Sequence, residues 1–250
     1  PWEVNGMVEL PCCVPDDLQL HDGLGYNLEQ IAQVWLDTLH QTYRRGEMFN
    51  LMFHPELASF CEAPFTAVLR EARHFQPQIW VTRLFEIAAW QREFSSFSVD
   101  IDVRKDGYDL RFNCTPRATL LYRGFVPSGE SSPWDGMYRR TQVQSVRVDG
   151  PRLPFIGLPA DAPEWVSTAL KRVGYILESG ESGLVCSLYL DKLCLSQFTQ
   201  PVELISYIEG LRVPLMRFWP WPDGKRSVLT ITGDLDALSL MDYATRLFVR

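Results

Sequence analysis

Short apolar runs alternate with amphipathic stretches through residues 1–96, and this alternation constrains the fold more than any other feature. GMVELPCCV (6–14) reads as a strand, closed by Pro15 and the Asp16-Asp17 pair. Asn27 then caps a helix, with Gln30 three residues on as its capping-box partner. Leu28, Ile31, Trp35 and Leu39 keep helical spacing, Arg44 and Arg45 suit its C-terminus, and Gly46 stops it. MFNLMF (48–53) is a second strand ending at His54-Pro55. Pro64 opens a helix to about His74; QIWVTR (78–83) is a strand and LFEIAAWQREF (84–94) a helix. A β-α-β-α-β-α order with short connections implies parallel strands joined by crossover helices.

The texture changes after Ser95. VDIDVRKDGYDLRFNCTPRATLLYRGFV (99–126) alternates with period 2 around a Lys105-Asp106-Gly107 turn, and TQVQSVRVDG (141–150) alternates too, which predicts antiparallel strands. Residues 127–136 form a polar loop. Residues 155–225 return to mixed α/β: strands at 155–158, 184–190 and 213–219, a helix opened by Pro163-Glu164 that Gly174 interrupts, and a helix over 201–210. VLTIT (228–232) is then a strand, Gly233 a bend, and LSLMDYATRLFV a helix. The expected class is α/β: a partial or permuted parallel β/α barrel followed by a β-rich and mixed α/β region. The expected segments are 1–96, 97–154, 155–225 and 226–250.

The chain has 250 residues, a net charge of −7 and a pI near 5.2. Its basic clusters are no longer than pairs, Arg44-Arg45 and Arg139-Arg140, which argues against nucleic acid or an anionic membrane as partner. No apolar run approaches the ~18 residues of a membrane span. The six cysteines show no C-x-x-C spacing and sit mostly among apolar neighbours. With no leader-type segment in a chain that opens PWEVNG, the expectation is a reduced, cytoplasmic protein.

Ligands collect beyond the C-terminal ends of parallel strands. Two apolar runs end there in ionisable residues: MFNLMF in His54, and VLTITG in Asp234 and Asp236. A histidine at such a place can serve as acid or base, and a carboxylate as base or metal ligand. Asp is also a favoured helix N-cap, which accounts for one of the two acids but not both. Asp16, Asp17, His21 and Asp22 follow the first strand, where they suit turns or ligands. His40 and His74 have no partner at metal spacing. The eight tryptophans, with Trp219 and Trp221 around Pro220, read as packing residues or a sugar-binding shelf.

MVELPCCVPDD, the helix ending YRRGEMF, NLMFHPE, VLREAR and IWVTRLFEIAAWQRE together resemble the C-terminal half of a polysaccharide deacetylase of the NodB-homology type, carbohydrate esterase family 4. Leu51-Met52-Phe53-His54-Pro55 looks like the family's histidine-proline signature, and VLTITGDLDA like its paired-aspartate motif. The resemblance implies a distorted parallel β/α barrel. It implies metal-assisted removal of acetyl groups from a sugar polymer, or cleavage of a related small amide, with a divalent ion such as zinc or cobalt. By the same resemblance Asp234 is the catalytic base, Asp236 the carboxylate metal ligand and His54 the catalytic acid. The chain departs from the family in three ways. It has only four histidines and no H-x-x-x-H motif for the other metal ligands, it shows no arginine-proline motif on the middle strands, and the paired-aspartate motif follows His54 instead of preceding it. Three arrangements fit: a part of a longer barrel, a permuted barrel in which 226–250 lies beside the His54 strand, or an Asp234 that only caps a helix. The alternatives in function are a D-x-D glycosyltransferase and a non-catalytic carbohydrate-binding or scaffold module.

Overall fold

A computed structural model describes residues 2–4, 6–12, 15–54, 58–127 and 130–234 of the chain. Two compact units divide it: residues 1–91 with 225–250, and residues 92–224.

The first segment contributes β1 (Trp2–Val4), β2 (Met7–Glu9), α1 (Leu28–Arg45), β3 (Met48–Phe53), α2 (Ala58–Ala72), β4 (Ile79–Val81) and α3 (Leu84–Ser95). β2 differs from the nine-residue strand expected at 6–14. It is three residues long and pairs antiparallel with β1, Val4 opposite Met7. Pro11, which cannot donate to a ladder, limits it. α1 forms as its sequence signals require. The Asn27 side chain accepts from the Gln30 N–H while the Gln30 side chain accepts from the Asn27 N–H, and Gly46 ends the helix at φ 70°. α2 begins at Ala58 and holds Pro64 in its interior, not at its start. Proline removes a single helical N–H there, and Cys61, Val68 and Ala72 are buried on the face it shares with the core.

The middle of the chain contributes β5 (Ser98–Val103), β6 (Gly107–Asn113), β7 (Leu120–Arg123), β8 (Ser132–Pro133), β9 (Arg139–Thr141), β10 (Ser145–Asp149) and β11 (Leu153–Leu158). It continues with α4 (Glu164–Arg172), β12 (Leu177–Ser179), β13 (Cys186–Tyr189), α5 (Lys192–Leu195), α6 (Pro201–Gly210) and β14 (Leu215–Phe218). Here the antiparallel sheets run β10-β6-β5 and β14-β7-β9-β8, and a parallel sheet runs β12-β11-β13. α4 stops before Gly174, whose φ is 87° and whose position would bring a Cβ to 1.8 Å from the Phe218 carbonyl oxygen. Only glycine fits this approach. Two apolar clusters fill the unit, one around Leu110, Phe112, Tyr122 and Phe155, the other around Val166, Leu170, Leu204 and Ile208. Glu209 ties α6 to the sheet: it takes the Tyr175 hydroxyl at 2.6 Å and pairs with Arg217 at 3.0 Å and Arg123 at 3.5 Å. Arg123 also donates to the Ile208 carbonyl at 2.7 Å and so caps the C-terminus of α6.

The chain then returns to the first unit as β15 (Ser227–Gly233), the strand before Asp234. β15 runs between β3 and β4, parallel to both, in the order β3-β15-β4. Phe49, Leu51, Leu229 and Ile79 turn one face of this sheet onto Ile31, Trp35 and Leu39 of α1 and onto α2. Each such buried side chain stabilises by about 1.5–3 kcal/mol. Among the described residues these parallel strands make an open three-stranded sheet rather than a closed barrel, within a mixed α/β architecture. Cys12, Cys61, Cys114, Cys186 and Cys194 are free thiols, and no described helix is long and apolar enough to cross a membrane.

Candidate functional site

β3 and β15 pair in register from Met48↔Val228 to Phe53↔Gly233. Side chains alternate faces along a strand, and parallel partners in register share a face. Phe49, Leu51, Leu229 and Ile231 belong to the core face. The opposite face therefore carries Asn50, Met52 and then His54 on one strand, and Thr230, Thr232 and then Asp234 on the other. The Asp234 N–H donates to the Phe53 carbonyl at 3.2 Å, which carries the pairing one step past the strand end. Neighbouring strands lie about 4.8 Å apart, so the backbones of His54 and Asp234 stand side by side, though 180 positions separate them in sequence.

The two residues differ in environment. His54 is buried, and Asp234 is exposed. His54 is held by Asp17, whose side chain is completely buried. Asp17 Oδ2 accepts the His54 backbone N–H at 2.8 Å, and Oδ1 accepts the ring at Nδ1, 2.6 Å away. Oδ1 also accepts the Leu18 N–H at 3.1 Å. An ionised carboxylate only accepts, so Nδ1 carries a proton in both charge states of the ring, and the proton that titrates is the one on Nε2. Asp17 thus sets the orientation and tautomer of His54.

Local sequence explains why Asp17 can do this. Asp16 and Gln19 make a reciprocal pair: the Gln19 N–H donates to Asp16 Oδ1 at 2.8 Å, and the Asp16 N–H to Gln19 Oε1 at 3.4 Å. This closes the turn that leads into a π-helical turn, Gln19–Gly23, and leaves the next carboxylate, Asp17, to reach β3. By sequence alone Asp16 and Asp17 suit turns or ligands. Asp16 has the turn role, and Asp17 has a task that only the fold reveals. Paired acids after an apolar run were the one available sign of it. Cys61 on α2 adjoins the pair: burial first, and the Asp17 charge second, push its thiol up to about 11.

The other candidates fall elsewhere. His21 stacks on Phe60 with ring centroids 4.3 Å apart, and His40 pairs with Glu71 at 3.0 Å. Trp219 packs edge-on against Trp134 and Trp221 is buried, as packing residues are. Asp236, assigned by resemblance as the metal ligand, lies outside the described residues, as does the helix expected after it.

A divalent ion held by one carboxylate and two histidines does not fit what the described residues assemble. Among them, the one group of three metal-type side chains with converging ligand atoms is Asp16, Asp17 and His54, all within 4.8 Å of one another. It contains a single histidine. Both Asp17 oxygens already accept N–H groups, one of them that of His54 Nδ1. This group is built as a hydrogen-bonded acid–base pair, so no chemical step is assigned to an ion. Comparison with family models, with curated proteins and with solved structures finds no match to this chain.

Proposed function

We propose that this chain carries the acid–base centre of a hydrolase of the polysaccharide deacetylase type, acting on acetyl groups of a sugar polymer or on a related small amide. The observation that carries the reading is the register of β3 and β15, which sets Asp234 beside the Asp17-held His54 at the C-terminal end of a parallel sheet. In this reading the open sheet is one part of a permuted barrel, with β15 as the inserted strand.

The chemistry follows from the protonation states. Asp234, exposed to water, takes a proton from a water molecule as its oxygen bonds to the acetyl carbon. His54, protonated at Nε2 and neutralised by Asp17, gives its proton to the departing nitrogen or oxygen as that bond to carbon breaks. The products are acetate and a free amine or hydroxyl. General acid–base assistance of this kind contributes about 10²–10⁴-fold each. The zinc- or cobalt-type ion of the resemblance would add polarisation of the carbonyl. The described residues do not gather its three ligands, so slow turnover by this chain is expected.

The test is acetate release from acetylated chitooligosaccharides, with and without added zinc or cobalt. Slow release that disappears in His54→Ala supports the reading. Sugar binding without release, indifferent to His54, would instead make the chain a carbohydrate-binding module.

A further inference from the structure

Among the described residues eight arginines, Arg45, Arg83, Arg104, Arg111, Arg117, Arg123, Arg147 and Arg217, have a carboxylate partner. Arg139 and Arg140 on β9 do not, among the described residues, although the chain is acidic. Each instead holds a serine hydroxyl of the neighbouring β8 segment. Arg140 Nε donates to Ser132 Oγ at 3.0 Å and its Nη1 to the Gly224 carbonyl at 3.3 Å.

Arg139 does more. Its Nε and Nη2 both donate to Ser131 Oγ, at 3.2 and 3.0 Å, closing the two-toothed fork of the guanidinium on one oxygen. Nε also reaches the hydroxyl of the buried Tyr122 at 3.3 Å, and Nη2 the Ser131 carbonyl at 3.3 Å. A guanidinium fork matches the oxygens of a carboxylate or phosphate far better than a neutral hydroxyl. Ser131 stands just outside the strand, half-buried, with exposed Glu130 on its N-terminal side. The cation is therefore already in place around the one atom that phosphoryl transfer would esterify.

We propose that Ser131 is a phosphorylation site and that Arg139 is the receptor for its phosphate. A kinase transfers the terminal phosphoryl group of a nucleoside triphosphate: the Oγ–P bond forms, the bond from that phosphorus to the leaving diphosphate breaks, and the hydroxyl proton passes to the kinase's base. The product adds about −1.5 to −2 charges at pH 7. It turns a neutral contact into a charge-assisted one that fastens Ser131 to β9.

Two measurements test this. Peptide mapping by mass spectrometry of the full chain isolated from its own cells should find phosphate on Ser131. In the chain made with phosphoserine at 131, the ³¹P titration midpoint should fall below the usual value of about 6. An exposed ion pair of up to about 1 kcal/mol corresponds to a drop of up to roughly 0.7 of a pH unit. Arg139→Gln should restore the ordinary midpoint, while Arg139→Lys keeps part of the shift. An unmodified Ser131 in cells, or a midpoint indifferent to Arg139→Gln, overturns the proposal. So does inorganic phosphate that binds the unmodified chain through Arg139 while no covalent phosphate is found, which would make the site a receptor for free oxyanions.

Discussion

Asp17→Asn is the sharpest perturbation of the dyad, because it keeps shape and removes charge. The native carboxylate accepts three N–H groups, from Leu18, the His54 backbone and the His54 ring. An amide has one oxygen and one NH₂. With the NH₂ in the place of Oδ2 it opposes the His54 N–H. With the NH₂ in the place of Oδ1 it can donate to Nδ1, but it then opposes the Leu18 N–H. One donor is stranded either way, the buried His54 N–H or the part-buried Leu18 N–H, at a cost of about 2 kcal/mol, and the surviving bonds lose their charge assistance, about 1 kcal/mol more. A destabilisation near 3 kcal/mol corresponds to amide exchange on the order of 100-fold faster in the most protected part of the first unit. Hydrogen exchange of the β3 and β15 amides reads this without interference from the second unit. The ¹⁵N spectrum of the His54 ring reads the tautomer, which should move from an Nδ1–H form towards an Nε2–H form. Unchanged protection together with an unchanged tautomer would refute the view that Asp17 holds His54.

Three other outcomes are expected. Glu209→Gln should destabilise the second unit by about 2–3 kcal/mol, since it strands Arg123 and Arg217; the side chain is 29% exposed, so the loss stays below that of a fully buried pair, and a denaturation midpoint unchanged in that unit would contradict this. Hydrogen bonds from the Arg83 side chain, then from the Thr82 hydroxyl and the Arg83 N–H, hold the Glu86 carboxyl down to about 2. Its contribution is therefore present above the ordinary carboxylate range and lost only as pH falls towards 2; an NMR titration should show that midpoint, and Arg83→Ala should raise it. Burial, reinforced by nearby carboxylates, pushes the Cys61 thiol up to about 11 and the Cys186 thiol up to about 12. Both should resist alkylation in the native chain at pH 8 while exposed Cys12 reacts, and prompt labelling of Cys61 would argue against the buried dyad beside it.

Local signals were legible where local physics decides. The Asn27–Gln30 capping box and the Gly46 stop bound α1 within a residue of the sequence reading, because those contacts lie inside one turn. β3, β15 and the period-2 strands β5, β6 and β10 follow from their patterns. β2 and the start of α2 did not. The first depended on the Pro11 boundary, the second on tertiary packing that tolerates an internal Pro64. For the site, His54 and Asp234 could be picked out as ionisable residues ending apolar runs, but periodicity cannot say which strands are neighbours. That β15 enters between β3 and β4 is a long-range fact, and so is the 37-residue separation between Asp17 and His54.

The central claim is that His54 and Asp234, one on each of two paired strands, form a single acid–base site. Acetate release from acetylated chitooligosaccharides by His54→Ala, Asp234→Asn and the double variant tests it most directly. Groups acting in one mechanism are non-additive. The double variant should therefore lose little more activity than the more damaging single one. Losses that multiply, or an Asp234→Asn chain as active as the parent, would contradict a shared site.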